Sequence, residues 1–113
     1  MPLTTATREL VAIYFGTLGG YVSLHTADPS TTGAKEASVT RQQTTWAAGV
    51  SDGAVTGSQV TFTSVPAGQY PYLGVWSAVT GGTFRGSQAL TDVELSATGE
   101  VKITPTYTQS NPA

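Results

Sequence analysis

YPYLGVWSAVTGGTFRG, Tyr70–Gly86, reads as a strand, a glycine-bearing turn and a returning strand. Tyr70, Tyr72, Trp76 and Ala78 share one face at period two, with Gly74 between them, while Leu73 and Val75 lie on the other. Apolar side chains on both faces mark a central strand, covered on each side. Gly81-Gly82 supplies positive φ without steric cost, which places the turn at Val79–Gly82. Trp76 is expected inside the fold.

Outward from this hairpin the chain continues in short alternating runs. Tyr21–Thr26, Thr40–Ala48, Ser58–Val65, Thr83–Leu90, Asp92–Leu95 and Glu100–Tyr107 read as strands, with another short one around Ala54-Val55. Asp28-Pro29 and Thr32-Gly33 punctuate a long loop from Ala27 to Ser38, and Pro66-Ala67-Gly68 ends a strand. Pro105 cannot donate to a ladder, so its end belongs on a sheet edge or past the pairing. About seven or eight strands at spacings of roughly ten residues predict an antiparallel β-sandwich. The whole chain, 1–113, reads as one domain.

The N-terminal 18 residues are the helical exception. Thr4 or Thr5 can cap a helix running to Phe15, and Gly16 and Gly19-Gly20 can end it. Ala6, Leu10, Ile13 and Thr17 share one face, with Val11, Tyr14 and Leu18 beside it. So wide an apolar stripe must pack on something, either the sandwich of the same chain or a neighbouring subunit. At the other end, Thr108–Ala113 reads as a flexible polar tail.

Charge is the unusual quantity. Asp, Glu, Lys and Arg make up 11% of the chain and the net charge is −2, against about 25% charged residues in a typical globular protein. Five scattered Lys and Arg supply no basic patch, which argues against nucleic acid as a partner. No apolar run approaches the ~20 residues of a membrane span, and MPLTTATREL lacks the order of a secretory signal. Charge depletion is a property of interface cores. Composition thus points to a protein that lives inside an assembly.

Residues that could carry a reaction are sparse. The chain has no cysteine and a single histidine, His25. Asp28 lies near it in sequence, and Ser23 shares its strand face, but a serine nucleophile needs a base arranged in space. Asp28 with Glu36, and Asp92 with Glu94, are the carboxylate pairs. Neither has the acidic spacing of a calcium loop. Gly81-Gly82 lacks the lysine and following helix of a phosphate loop. The expectation is no enzyme, no cofactor and no metal. Tyr70, Tyr72 and Trp76 would suit a sugar ring if exposed, and the hydrophobic core if buried; the core is the favoured reading, with Tyr70 the readiest of the three to be exposed.

Leu24-His25-Thr26-Ala27-Asp28-Pro29, Thr32-Gly33, Glu36, Arg41, Trp46-Ala47-Ala48, Gly74-Val75-Trp76 and Gly81-Gly82-Thr83 together resemble a family of small tailed-phage virion proteins. Its members are described as minor tail or tail-fibre-like proteins, and some as head decoration proteins. Ser77 and Arg85 depart from its pattern, standing where an acidic and an apolar residue are common. The resemblance implies a β-sandwich that assembles on a virion, with no catalytic residue to transfer. It makes the expected function a structural tail or fibre component, forming a symmetric homo-oligomer and contacting other virion proteins. A capsid decoration protein and a module for host-surface glycans are the alternatives. Candidate contacts are Leu10, Ile13 and Tyr14 on the helix, Asp28 and Glu36 in the long loop, Tyr70 on the hairpin, and the tail if it reaches out as an arm.

Overall fold

A computed structural model describes residues 3–48, 53–91 and 93–108. One helix, α1 (Thr5–Leu18), precedes eleven described strands: β1 Tyr21–His25, β2 Gln42–Gln43, β3 Trp46–Ala48, β4 Ala54–Gly57, β5 Val60–Val65, β6 Gly68–Gln69, β7 Tyr72–Trp76, β8 Phe84–Ala89, β9 Glu94–Leu95, β10 Gly99–Ile103 and β11 Thr106–Thr108. The fold is mainly β and every strand pairing is antiparallel. The largest sheet has four strands in the order β2-β1-β7-β8, so β7 is central, as the two-faced pattern of the hairpin requires.

The strand count exceeds the expected seven or eight because two expected strands each change sheets midway, and because the short β6 forms after the Pro66-Ala67 break and pairs with β9. Thr40–Ala48 divides at Thr44-Thr45: β2 pairs with β1, and β3 pairs with β4. Thr44 is buried at the crossing, and its hydroxyl donates to the Ser58 carbonyl at 2.8 Å. Glu100–Tyr107 divides at Pro105, which is fully buried. β10 before it pairs with β5, and β11 after it lies at the edge of a β11-β4-β3 sheet. The proline therefore moves a strand from one sheet to another, and its carbonyl accepts from Gly57 N–H at 2.8 Å. Of the expected tail, Thr108 closes β11; residues 109–113, with Asp92 and residues 49–52, lie outside the described residues.

The hydrophobic core forms between the four-stranded sheet and the β5–β10 pair. Val22, Leu24, Leu73 and Val75 face Val60, Phe62, Val65, Val101 and Ile103. Tyr70 joins this core at 4% exposure, which corrects its expected place at the surface. It sits just before β7 rather than within it. Its N–H donates to Val93 O, and its hydroxyl donates to Pro66 O at 2.7 Å. The strand alternation that would have turned it outward has not yet begun there.

Helix α1 starts where the capping rule places it. Thr4 Oγ1 accepts from Thr7 N–H at 3.1 Å. The helix runs through Gly16 and stops before Gly19, the second of the two expected end points, whose carbonyl accepts the Trp46 indole N–H at 2.6 Å. Its inner face differs from the expected stripe. Glu9 and Ala12 are buried against β3 and β4, and Phe15 stacks on Tyr107 with ring centroids 4.1 Å apart. Leu10, Ile13 and Tyr14 point away. Small Ala12 and Gly16 let the backbone approach closely: a Cβ on Gly16 would lie 3.0 Å from Trp46 Cβ. This close packing sets which side of the helix faces in.

Candidate functional site

β1 and β7 run side by side in register, Ser23 opposite Gly74 and His25 opposite Tyr72. Val22 and Leu24 occupy the core face of β1, so Ser23 and His25 occupy the opposite one. Both are nevertheless fully buried. The long loop after β1 folds back over them. Ala37 N–H donates to Leu24 O at 2.8 Å and Thr26 N–H to Lys35 O at 3.0 Å, which lays the returning chain along β1. Asp28 Oδ1 accepts from Ser30 N–H at 2.8 Å in a local turn, and Pro29 O receives Gly33 and Ala34 N–H at 3.1 and 3.2 Å.

A chain of hydrogen bonds threads this buried layer. The Trp76 indole N–H donates to Ser23 Oγ at 2.8 Å. Ser23 Oγ lies 2.7 Å from His25 Nε2, and His25 Nδ1 lies 2.8 Å from Ala34 O. A carbonyl only accepts, so Nδ1 carries the hydrogen and Nε2 accepts from the serine. Burial pushes the imidazole below its ordinary 6.5. The Ala34 hydrogen bond and then Glu36 pull the other way, and Arg41 adds a smaller push downward. Gly74 makes the space, since a Cβ there would stand 2.4 Å from His25 Nε2 and 2.7 Å from Ser23 Oγ.

Arg41 closes the layer from outside. Its Nε and Nη2 donate to the two Glu36 carboxylate oxygens at 2.8 and 2.9 Å. Its Nη1 donates to Ala78 O and Gly81 O at 3.0 and 2.8 Å, pinning the turn between β7 and β8. The guanidinium carbon lies 3.8 Å from the Trp76 ring centroid. Within the turn, Ser77 N–H donates to Thr83 O, and Thr83 N–H to Ser77 Oγ at 2.8 Å. Gly81 and Gly82 have φ of 65° and 73°, as the hairpin reading requires. Gly33, at φ 77°, passes so close to Trp76 that a Cβ would stand 2.5 Å from the ring.

The outer face of α1 is the opposite kind of surface. Leu10 is 66% exposed, Tyr14 64%, Ile13 40% and Val11 37%. The two charges of the helix, Arg8 and Glu9, lie elsewhere, and Glu9 is buried. Beside this ridge a groove of about 450 Å³ runs between α1 and β2–β3, lined by Ile13, Thr17, Gln43, Thr45 and Trp46 among others. Among the described residues no ionisable side chain lines it.

A family model described as Podophage GP4 fiber I protein gp80 matches residues 17–108. The chain belongs to that family. It is a phage structural protein of the fibre kind and a component of the virion. No curated protein and no solved structure matches the chain significantly. The fibre-family match takes in the buried layer and the Arg41 clamp, and it begins at the last residues of α1.

The six contact candidates divide cleanly in this fibre protein. Leu10, Ile13 and Tyr14 are exposed together on one helix face. Asp28 is exposed but engaged in its local turn. Glu36 is turned inward to Arg41, its side chain 27% exposed. Tyr70 belongs to the core. Of the three aromatics suited to a sugar ring, Tyr70 is buried, Arg41 lies over the Trp76 ring, and Tyr72 is half-buried. His25 and Asp28 do not pair: Ala34 O takes the Nδ1 hydrogen. Of the second carboxylate pair, Glu94 accepts from Gln69 Nε2 at 3.3 Å, and Asp92 lies outside the described residues. No group of three or more metal-ligating side chains gathers among the described residues, and no described helix is long and apolar enough to cross a membrane.

Sequence reading missed the linkage that makes Ser23, His25, Gly74 and Arg41 one unit. A signal was present: polar Ser23 and His25 alternate with Val22 and Leu24, and a glycine interrupts the aromatic face of the partner strand. The two departures from the family pattern also have roles. Ser77 caps the hairpin turn, and Arg85 Nε donates to Leu18 O at 3.1 Å, placing a cation at the C-terminus of α1.

Proposed function

We propose that the protein is a tail-fibre subunit that associates with further copies of itself, and with other virion proteins, through the outer face of α1. The carrying observation is the charge-free ridge of Leu10, Val11, Ile13 and Tyr14 left exposed on the folded chain. An apolar ridge beside a neutral groove is the makings of a self-complementary contact. The sparse charge of the whole chain supports a surface covered in an assembly. The fibre description of the family favours the tail over the capsid surface. The role is structural rather than enzymatic, since the one serine–histidine pair is sealed from solvent.

The absence of cysteine gives a direct test. Tyr14→Cys would place the sole thiol of the chain on the ridge. Oxidation is expected to yield a covalent dimer, while Thr31→Cys, in the exposed loop, is expected to stay monomeric. Equal cross-linking of both would remove the helix from the interface. Immunogold labelling of particles separates the two virion locations: fibres are expected to carry the label, and label over the capsid faces would replace this reading with capsid decoration.

A further inference from the structure

The buried layer holds a titratable group whose hydrogen bonds are arranged for its neutral form. We infer that protonation of His25 releases the 26–41 loop and the 77–83 turn together, so that the two form an acid-operated latch at one end of the β1–β7 ladder. The direction of every hydrogen bond in the layer is set by its neighbour, from the Trp76 indole to Ser23, from Ser23 to His25 Nε2, and from His25 Nδ1 to Ala34 O. A second proton makes Nε2 a donor. Ser23 Oγ must then turn to accept from the ring, and its own hydrogen loses the acceptor that the neutral ring supplied, while the Nδ1–H bond to Ala34 O is kept.

Among the described residues the charge has no counter-ion of its own. The loop presents Ala34 O and Glu36, the segment before β2 presents Arg41, β7 presents Gly74 and, in register with His25, Tyr72, and β8 presents Phe84. Glu36 is already held by Arg41 through both oxygens. Arg41 is itself a cation. A fully buried imidazolium in these surroundings gains solvation by opening the cover. The cover is the part that yields. It is a loop bearing two non-glycine residues in the left-handed region, Ser30 and Lys35, whereas the ladder behind it is backed by the core.

The pH dependence follows from the same geometry. Burial holds the closed-state imidazole below its ordinary value of 6.5, so the open state binds the proton more tightly. The closed-to-open ratio is constant above 6.5. It falls by up to tenfold per pH unit from there down to the closed-state value.

Backbone hydrogen exchange followed by NMR between pH 7.5 and 5, corrected for intrinsic rates, tests the latch. Protection at Thr26, Gly33, Ala37 and Ser77 is expected to fall by up to tenfold per unit below 6.5, with the β5–β10 ladder unchanged. In His25→Gln the amide can still donate and accept but does not titrate, and the loop amides are expected to lose their pH dependence. Glu36→Gln removes an anion that favours the imidazolium, and the transition is expected to persist at lower pH. Loops that stay protected in the native chain, a dependence surviving in His25→Gln or vanishing in Glu36→Gln, or core amides exchanging in step with the loops would each overturn the proposal. Should His25→Gln fail to fold, the ring nitrogen shifts of the native protein decide. The Nδ1–H tautomer is expected at neutral pH, with protonation in step with loop exchange. Protonation at or above 6.5 with the loops still protected would overturn it.

Discussion

The buried layer around His25 and the outer face of α1 use side chains in opposite ways. In the layer, polar groups meet partners at 2.7 to 3.0 Å, and glycines are placed where a Cβ would collide. On the helix, large apolar groups stand in solvent on the isolated chain. Apart from Trp46-Ala47-Ala48 on β3, the residues that carry the family resemblance fall mostly on the first region. Its residues hold a loop and a turn in place. The contrast teaches that the recognisable signature of this chain is scaffold, and that its contacts are to be sought on the helix.

Substitutions in the layer should damage the fold without changing association, and those on the helix face the reverse. Gly74→Ala should have the largest effect, on the order of 3 kcal/mol in chemical denaturation, because its Cβ meets both His25 and Ser23. An unchanged midpoint would show that the layer is not tightly built. Arg41→Lys should cost about 2 kcal/mol, since one ammonium cannot reproduce a fork on Glu36 together with two turn carbonyls. Its companion sign is faster exchange at Ser77 and Thr83. Thr4→Ala removes the cap of α1 and should cost about 1 kcal/mol, read as loss of helical ellipticity at lower temperature. Tyr14→Ser should stay within about 0.5 kcal/mol of the native stability, as exposed positions do, while weakening self-association. A large loss of stability there would mean that Tyr14 supports its own chain.

Much of this contrast was legible in the residues. Alternation around Gly74 and the Gly81-Gly82 turn located the central hairpin, because period-two burial and positive φ are local properties. The capping threonine located the start of α1 for the same reason. What local rules could not locate were tertiary choices. Thr44 and Pro105 lie where strands leave one sheet for another, and that depends on where a partner strand lies. Tyr70 matched the alternation of β7 but precedes the ladder, so its ring follows the Pro66 and Val93 carbonyls inward. The helix stripe was legible as a list of apolar residues; which of them its own chain buries was not. The close approach allowed by Ala12 and Gly16 selected the inner face, leaving Leu10, Ile13 and Tyr14 outside.

The division between scaffold and contact surface meets its most direct test in the solution mass of the native chain and of Leu10→Asp/Tyr14→Asp. Light scattering coupled to size exclusion, run over a range of concentrations, should show the native protein as an oligomer. The double variant should be a monomer with the same unfolding midpoint. A native protein that stays monomeric at every concentration, or a double variant that keeps the oligomer mass, would contradict it.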